Sequence, residues 1–249
     1  MRKRILDQPI DIATFDEAIY LAKTAIINSR QFKIITLNPE MVVNAVKNFE
    51  FQAAINNANF IVPDGTGIIW ALKLNGCKNI QRIPGIELSE KILAITNESS
   101  KKIALFGSTK EVLEKVTKAI NEKHPNISIV KTIDGFHGIE KDLDIATEIA
   151  KERPDVVFVA LGTPRQEIWI NKYSYLFPQS LMIGVGGSLD IWAGKKHRAP
   201  LWMRKNNLEW FYRVITEPKR TIRILKTLPI YVFMTLKAKI TGYLNLNSK

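Results

Sequence analysis

The sequence predicts an α/β fold: a mostly parallel sheet with helices on both faces, followed by a basic, helical C-terminal appendage. Apolar runs rich in Val, Ile and Phe alternate with stretches of helical periodicity through most of the chain. This alternation requires crossover connections between parallel strands. The length of 249 residues and the apolar content of 46% fit one large domain with its own core, or a domain with an appendage.

The first part of the predicted sheet contains two strands. The runs F-K-I-I-T-L at 32–37 and F-I-V at 60–62 are apolar and rich in β-branched residues, which favours strands. Apolar residues at helical spacing predict helices over 40–58, 68–74 and 84–96.

The second part repeats the same pattern. We predict strands at 102–106, 127–133, 155–161 and 181–185, and helices at 109–123, 143–152 and 165–175. Ser108 is predicted to cap the first of these helices, with Glu111 completing a capping box. Asp142 and Asp144 form a D-x-D triplet, which we interpret as acidic charge at a helix N-terminus and not as a metal site.

Positive charge is concentrated at the C-terminal end. Residues 195–249 hold 13 Lys and Arg against two acidic residues, a net charge of +11, whereas residues 1–194 hold 23 against 22. We therefore divide the chain into a Rossmann-like core, 1–195, and a basic amphipathic appendage, 196–249. Helices are predicted at 200–216 and 219–243, the second kinked or restarted at Pro229. A basic, apolar-faced helix suits an anionic membrane interface, while packing on the core remains open.

The N-terminal charge pattern, the length of the apolar runs and the cysteine count predict where in the cell the protein is located. The basic start is followed at once by acidic residues, so no export signal is expected. No apolar run approaches the roughly 20 residues that span a bilayer. The single cysteine, Cys77, fits a reducing compartment. We expect the chain to stay on the cytoplasmic side of the membrane.

Candidate site residues follow the predicted strands, because ligands of such sheets bind at the carboxyl ends of the strands. Asp64, between Pro63 and Gly65, is a candidate general base, although a turn or helix-capping role is the commoner one for such a residue. Backbone N–H groups at Gly186 and Gly187 suit phosphate groups. Gln166 begins a helix, where a solvated position is the default expectation.

The sequence features described so far are compatible with two classes of protein that we consider as alternatives. A nucleotide-binding oxidoreductase on a Rossmann-like core is one, but the G-x-G-x-x-G spacing is missing because Leu189 takes the third glycine position. A basic nucleic-acid-binding protein is the other, but the apolar stripe of the appendage suits lipid better than a groove. We expect no nucleic-acid partner.

Five segments together resemble the WecG/TagA/CpsF glycosyltransferase family. They are T-L-N-P-E at 36–40, P-D-G at 63–65, G-T-P-R-Q-E at 162–167, G-V-G-G-S-L-D at 184–190 and A-G-K-K-H-R-A-P at 193–200. Each is weak alone, but five in order with sensible spacing are specific, and the match runs from about residue 5 to about residue 225. The resemblance implies a Rossmann-like core with an appendage that completes the active site.

The resemblance also implies an activity. Such enzymes are inverting and metal-independent, and move a sugar, typically N-acetylmannosamine or its uronic acid, from a UDP-sugar to a polyprenyl-diphosphate-linked N-acetylglucosamine in cell-surface polysaccharide synthesis. By motif, Asp64 matches the proposed catalytic base. The residues that match substrate-binding positions are Thr36, Asn38, Arg82, Gln166, Arg213, Arg220 and Arg223.

The expected partners follow from this activity. They are a UDP-sugar donor, a lipid-linked acceptor and an anionic membrane surface, with no metal or other cofactor. The resemblance thus implies a cytoplasmic protein that binds peripherally to the inner face of a bacterial membrane. Arginines and backbone N–H groups would then stabilise the departing diphosphate. The sequence leaves open the donor sugar, the acceptor glycan and whether the chain forms a homo-oligomer.

Overall fold

The computed structural model describes residues 1–206 and 208–241, with residues 218–220 described by their backbone alone. An antiparallel hairpin of β1 (Arg2–Ile5) and β2 (Gln8–Asp11) precedes a six-stranded sheet. The strands of that sheet are β3 (Phe32–Leu37), β4 (Phe60–Pro63), β5 (Lys102–Gly107), β6 (Ser128–Ile133), β7 (Val156–Ala160) and β8 (Leu181–Gly184). All its pairings are parallel, in the order β4-β3-β8-β7-β5-β6, as the fold class predicts.

Helices connect and cover the strands. The helices of the core are α1 (Phe15–Ile27), α2 (Pro39–Ala45), α3 (Phe49–Asn56), α4 (Thr66–Leu74), α5 (Gly85–Glu98), α6 (Lys110–Lys123), α7 (Asp142–Lys151), α8 (Arg165–Tyr173) and α9 (Ser188–Trp192). The C-terminal helices are α10 (Leu201–Lys205), α11 (Glu209–Thr216) and α12 (Pro218–Ile240). Short 3-10 turns cover Ile139–Lys141 and Ser174–Leu176.

Most of the sheet is buried on both faces, which explains why β4, β5, β7 and β8 are largely apolar. The edge strand β6 is more exposed and includes polar residues such as Lys131 and Thr132. On β5, Ile103 and Leu105 pack with α1, α5, α6 and α9, whereas Ala104 and Phe106 point to the opposite face and pack with α7 and α8. A third cluster joins β3 and β4 to α2, α3 and α4.

Two local predictions need correction. The predicted helix 40–58 is two helices. The first, α2, ends at Ala45, and Asn48 caps α3, because its Oδ1 accepts a hydrogen bond from the Phe51 N–H at 3.0 Å. Thr109, and not Ser108, caps α6, since the Thr109 hydroxyl accepts from the Val112 N–H at 3.2 Å. Ser108 instead takes a left-handed turn, with φ +59°.

The C-terminal segment also differs in detail. The predicted helix 200–216 is divided into α10 and α11, and α12 continues through Pro229 without ending there. One side of α12 packs along α2, where Tyr231 is fully buried and its hydroxyl donates to the Gly67 carbonyl oxygen at 3.2 Å. Within the described residues, no helix combines the length and apolar character needed to cross a bilayer. The division into 1–195 and 196–249 stays a prediction.

Candidate functional site

A cleft of about 430 Å³ lies at the carboxyl ends of β3, β4, β7 and β8, with α11 and α12 along one side. Parallel strands end at one edge of the sheet, so the turns that follow them converge there. The predicted residues that line the cleft are Thr36, Asn38, Asp64, Arg82, Gln166, Gly186, Gly187, Arg213 and Arg223. The side chain of Arg220 lies outside the described residues.

Asp64 follows β4 directly and lies at the base of the cleft, where it is partly accessible to solvent. Its Oδ2 accepts a hydrogen bond from the Gly85 N–H at the start of α5, at 3.1 Å. Burial raises the pKa of Asp64 above its usual value, and the nearby charge of Glu209 adds to this. The Gly85 N–H and the guanidinium groups of Arg82 and Arg213 act in the opposite direction. A carboxylate with a raised pKa can accept a proton from a substrate hydroxyl.

Thr36 and Asn38 lie at the carboxyl end of β3, next to Asp64, whose N–H donates to the Leu37 carbonyl oxygen at 2.8 Å. Asn38 caps α2, because its Oδ1 accepts from the Met41 N–H at 3.1 Å. Its Nδ2 and the Thr36 hydroxyl form no hydrogen bond with a described residue, so both remain available to a ligand. Thr36 packs tightly on Gly85, where an added Cβ would lie 2.9 Å from the Thr36 hydroxyl oxygen. A side chain at position 85 would therefore collide with Thr36, which explains the glycine there.

Gln166 has a different setting from the solvated one expected from sequence. The residue is only 5% exposed. Its Oε1 accepts from the Gly162 N–H at 3.2 Å and from the Gly186 N–H at 3.1 Å. Gln166 thereby joins the turn after β7 to the turn after β8, and shapes the glycine-rich wall of the cleft.

Glu167 is a cleft residue that sequence reasoning did not select. It is 4% exposed, and its Oε1 accepts from Gln166 Nε2 at 2.7 Å and from the Thr163 hydroxyl at 3.2 Å. Its Oε2 has no hydrogen-bond partner among the described residues. Burial raises the pKa of Glu167 to about 7. A glutamate in the first turn of a helix is normally solvated, so only its burial distinguishes this one.

A buried ion-pair cluster forms the side of the cleft near Asp64. Its centre is Glu209 of α11, whose carboxylate lies 3.4 Å from Arg82 Nη2, 3.0 Å from Arg213 Nη2 and 3.7 Å from Arg198 Nη2. Burial alone would raise the pKa of Glu209, but the three guanidinium groups hold it below its usual value. Arg198 also binds Glu87 of α5 at 2.7 Å. Neither Glu209 nor Arg198 was selected from sequence.

Two other arginines form ion pairs outside the Glu209 cluster. Arg223 of α12 lies 3.6 Å from Glu40 of α2 and stays largely exposed at the rim of the cleft. Arg165 of α8 pairs with the buried Asp142 at 3.2 Å.

The D-x-D triplet is at a helix start, as predicted. Asp142 and Asp144 lie in the first turn of α7. Within the described residues, no group of three or more His, Cys, Asp or Glu side chains is placed to hold a metal ion.

Comparison with known proteins shows the family of this chain. The model of the glycosyl transferase WecG/TagA/CpsF family matches residues 3–245. The chain belongs to the WecG/TagA/CpsF family. The match extends beyond the segment up to about residue 225 expected from motifs, and so includes all of α12. It supports a glycosyltransferase over the oxidoreductase and nucleic-acid-binding alternatives.

Named relatives within the family are similar over most of their length. A protein of Bacillus subtilis (strain 168) named N-acetylglucosaminyldiphosphoundecaprenol N-acetyl-beta-D-mannosaminyltransferase is 39% identical over 218 residues, covering 88% of this chain and 84% of the relative. A protein of the same name from Staphylococcus aureus (strain NCTC 8325 / PS 47) is 38% identical over 237 residues, covering 94% and 92%.

Proposed function

We propose that the protein transfers N-acetylmannosamine from a UDP-sugar to N-acetylglucosamine carried on a polyprenyl diphosphate. The relatives' names support this choice of sugar and acceptor. The observation that carries the proposal is the position of Asp64: a partly accessible carboxylate with a raised pKa, at the base of a cleft with arginines on one side and glycine turns on the other.

The proposed reaction is a single displacement with inversion. Asp64 accepts the proton of the acceptor hydroxyl, and the hydroxyl oxygen bonds to the anomeric carbon of the donor sugar. The bond from that carbon to the diphosphate breaks, and UDP leaves with the electron pair. Thr36 and Asn38 Nδ2 orient the sugars by hydrogen bonding.

Charge that develops on the leaving diphosphate needs stabilisation at fixed positions. Arg213 and Arg223 offer guanidinium groups from the appendage side, and Gly186 and Gly187 offer backbone N–H groups from the opposite wall. We propose that these groups suffice, so that no metal ion or other cofactor takes part.

We further propose that the protein works at the cytoplasmic face of an anionic membrane. Tyr231 and Thr235 bury one side of α12 against the core, whereas the other side leaves large apolar side chains exposed, namely Ile222, Leu225, Ile230, Phe233 and Leu236. Basic residues accompany them, and each Lys or Arg near an anionic surface contributes about 1 kcal/mol to binding. The lipid acceptor would then be met where the protein docks.

The reaction is tested by a UDP-release assay with a panel of UDP-sugars, a short-chain prenyl-diphosphate-GlcNAc acceptor and EDTA. Acceptor-dependent UDP release from the N-acetylmannosamine donor, unchanged by EDTA, is expected. Release from another donor, or only after metal addition, would correct the proposed donor or the metal independence. No release from any donor would refute the reaction class.

The role of Asp64 is tested by Asp64→Asn. Loss of a general base is expected to lower kcat by roughly 10²–10⁴-fold, while UDP binding measured by calorimetry survives. Turnover close to that of the unsubstituted protein would remove Asp64 from this role.

The membrane contact is tested by Leu225→Ser with Phe233→Ser. Both side chains are about two-thirds exposed, so the fold should be unaffected, unlike a truncation that would expose the core around Tyr231. Sedimentation with anionic vesicles is expected to fall, while turnover of a soluble short-chain acceptor persists. Unchanged vesicle binding would contradict the proposed surface.

A further inference from the structure

A second cavity of about 390 Å³ adjoins the cleft. Arg82 and Pro84 line both cavities, so they form the wall between them. The far side is formed by α10, from which Leu201, Arg204 and Lys205 face the cavity. These three positions are spaced i, i+3 and i+4, which places them on one face of that helix.

The charged side chains that line this cavity are mostly basic, namely Arg82, Arg204 and Lys205 against Glu87. Arg204 and Lys205 form no ion pair with a described residue, and Arg204 Nε is buried without an acceptor among the described residues. Glu87 also lines the cavity, but its Oε1 is paired with Arg198 Nη2 at 2.7 Å, a guanidinium that Glu209 shares at 3.7 Å. Arg82 reaches Glu209 at 3.4 Å, a long contact for a charged pair. The cavity therefore offers guanidinium and ammonium donors to an anion.

The rim of the cavity is apolar on the solvent side. Leu201 and Trp202 are 64% and 61% exposed. Tryptophan is enriched where proteins meet the membrane interface. An anion held by Arg204 and Lys205 could thus carry an apolar chain that leaves along α10.

We infer that this second cavity binds the diphosphate of the lipid-linked acceptor, with the prenyl chain leaving past Leu201 and Trp202. The inference rests on the proposed function. An acceptor sugar whose hydroxyl reaches Asp64 carries its diphosphate one sugar ring away, which suits a neighbouring cavity separated by Arg82. The donor diphosphate then occupies the main cleft, and Arg82 lies between the two anions.

The test measures binding of geranylgeranyl diphosphate and of UDP to the full-length protein and to Arg204→Gln, Lys205→Gln and the double variant. Lys118→Gln, an exposed change on α6 outside both cavities, controls for net charge. Lys205 is exposed, so its variant is expected to fold even if Arg204→Gln does not, and thermal unfolding checks each variant. We expect the Kd for geranylgeranyl diphosphate to rise at least tenfold in the double variant. The Kd for UDP should not change, and Lys118→Gln should alter neither Kd.

Steady-state kinetics supply a second readout. The KM for the prenyl-diphosphate-GlcNAc acceptor should rise in Lys205→Gln, with the KM for the donor and kcat unchanged. If the protein shows no turnover at all, the proposed function fails, but the prenyl-diphosphate binding still decides the inference.

Three outcomes would overturn the inference. An unchanged Kd for geranylgeranyl diphosphate in the folded variants would show that the cavity does not hold this anion. A parallel loss of UDP affinity would assign the cavity to the donor. If the variants lose binding to anionic vesicles but keep their Kd for geranylgeranyl diphosphate, the cavity would be assigned to a phospholipid headgroup.

Discussion

The ion-pair cluster around Glu209 predicts a substitution with two separable effects. Glu209→Gln keeps the shape of the side chain but removes the charge that Arg82, Arg198 and Arg213 share. Those arginines would then sit close together without their common counter-ion, beside Asp64.

The first effect is on stability. Removing one partner of a fully buried ion pair costs about 3–5 kcal/mol. The cost here should be smaller, since the side chains of Arg82, Arg198 and Arg213 are 15%, 12% and 22% exposed and Arg198 keeps Glu87. We expect about 2–3 kcal/mol, or a fall in Tm of about 5–10 °C for a chain of this size. Because the folded pKa of Glu209 is lowered, its contribution is complete at neutral pH and is lost as the pH falls through that pKa.

The second effect is on the pH dependence of the reaction. The charge of Glu209 raises the pKa of Asp64, so its removal favours the ionised form of Asp64. The acid limb of the kcat/KM profile should therefore move to lower pH in Glu209→Gln.

The assay is UDP release between pH 4.5 and 8, with thermal unfolding measured in the same buffers. Glu114→Gln on the exposed surface of α6 is the control and should change neither quantity. An acid limb that stays in place in a folded Glu209→Gln protein, or moves to higher pH, would refute the electrostatic coupling to Asp64.

Three further predictions concern the wall of the cleft and the docking of α12. Because the pKa of Glu167 is raised to about 7, the free energy of unfolding should fall by about 3 kcal/mol from pH 4 to 8, measured by urea unfolding. Glu167→Gln should remove this pH dependence. The same pH dependence in both proteins would contradict the prediction. Gly184→Ala places a Cβ 2.5 Å from Gln166 Nε2, so we expect the free energy of unfolding to fall by about 1–3 kcal/mol and the donor KM to rise. Unchanged kinetics would count against the role of Gln166 in the wall of the cleft. The free energy of unfolding, measured by chemical denaturation, should fall by about 3–5 kcal/mol in Tyr231→Ala and by about 1 kcal/mol in Tyr231→Phe. Equal losses in the two variants would mean that packing of the Tyr231 ring does not hold α12 on the core.

Much of the fold could be predicted because the relevant signals are local. The run at 32–37 is a strand with the predicted bounds, and the remaining five strands differ by one or two residues at most. The break at Asn48 was missed because the apolar spacing continues across it, and one capping side chain decided the boundary. The hairpin at 2–11 was missed because its charged residues suggested only a basic terminus, whereas Arg2 pairs with Asp11 across the two strands.

Some residues of the candidate site could be selected from the local sequence, whereas others are placed in the site only by the tertiary fold. Asp64, Thr36 and Asn38 could be selected because each follows or ends a strand, and the ends of parallel strands meet at one edge. The placing of Gln166 inside the wall and the burial of Glu167 depend on the turn after β8, which the sequence around residue 166 does not reveal.

By itself, the sequence determined the fold class, the family and the edge of the sheet where the candidate site lies. Those properties follow from residue type and spacing along one chain segment. Only the tertiary structure decided that Glu209 meets Arg82, 127 residues away, and that Tyr231 turns one side of α12 towards the core while Phe233 stays outside. Such contacts join elements that are distant in the chain, and which side chains meet depends on how the helices pack on the finished sheet.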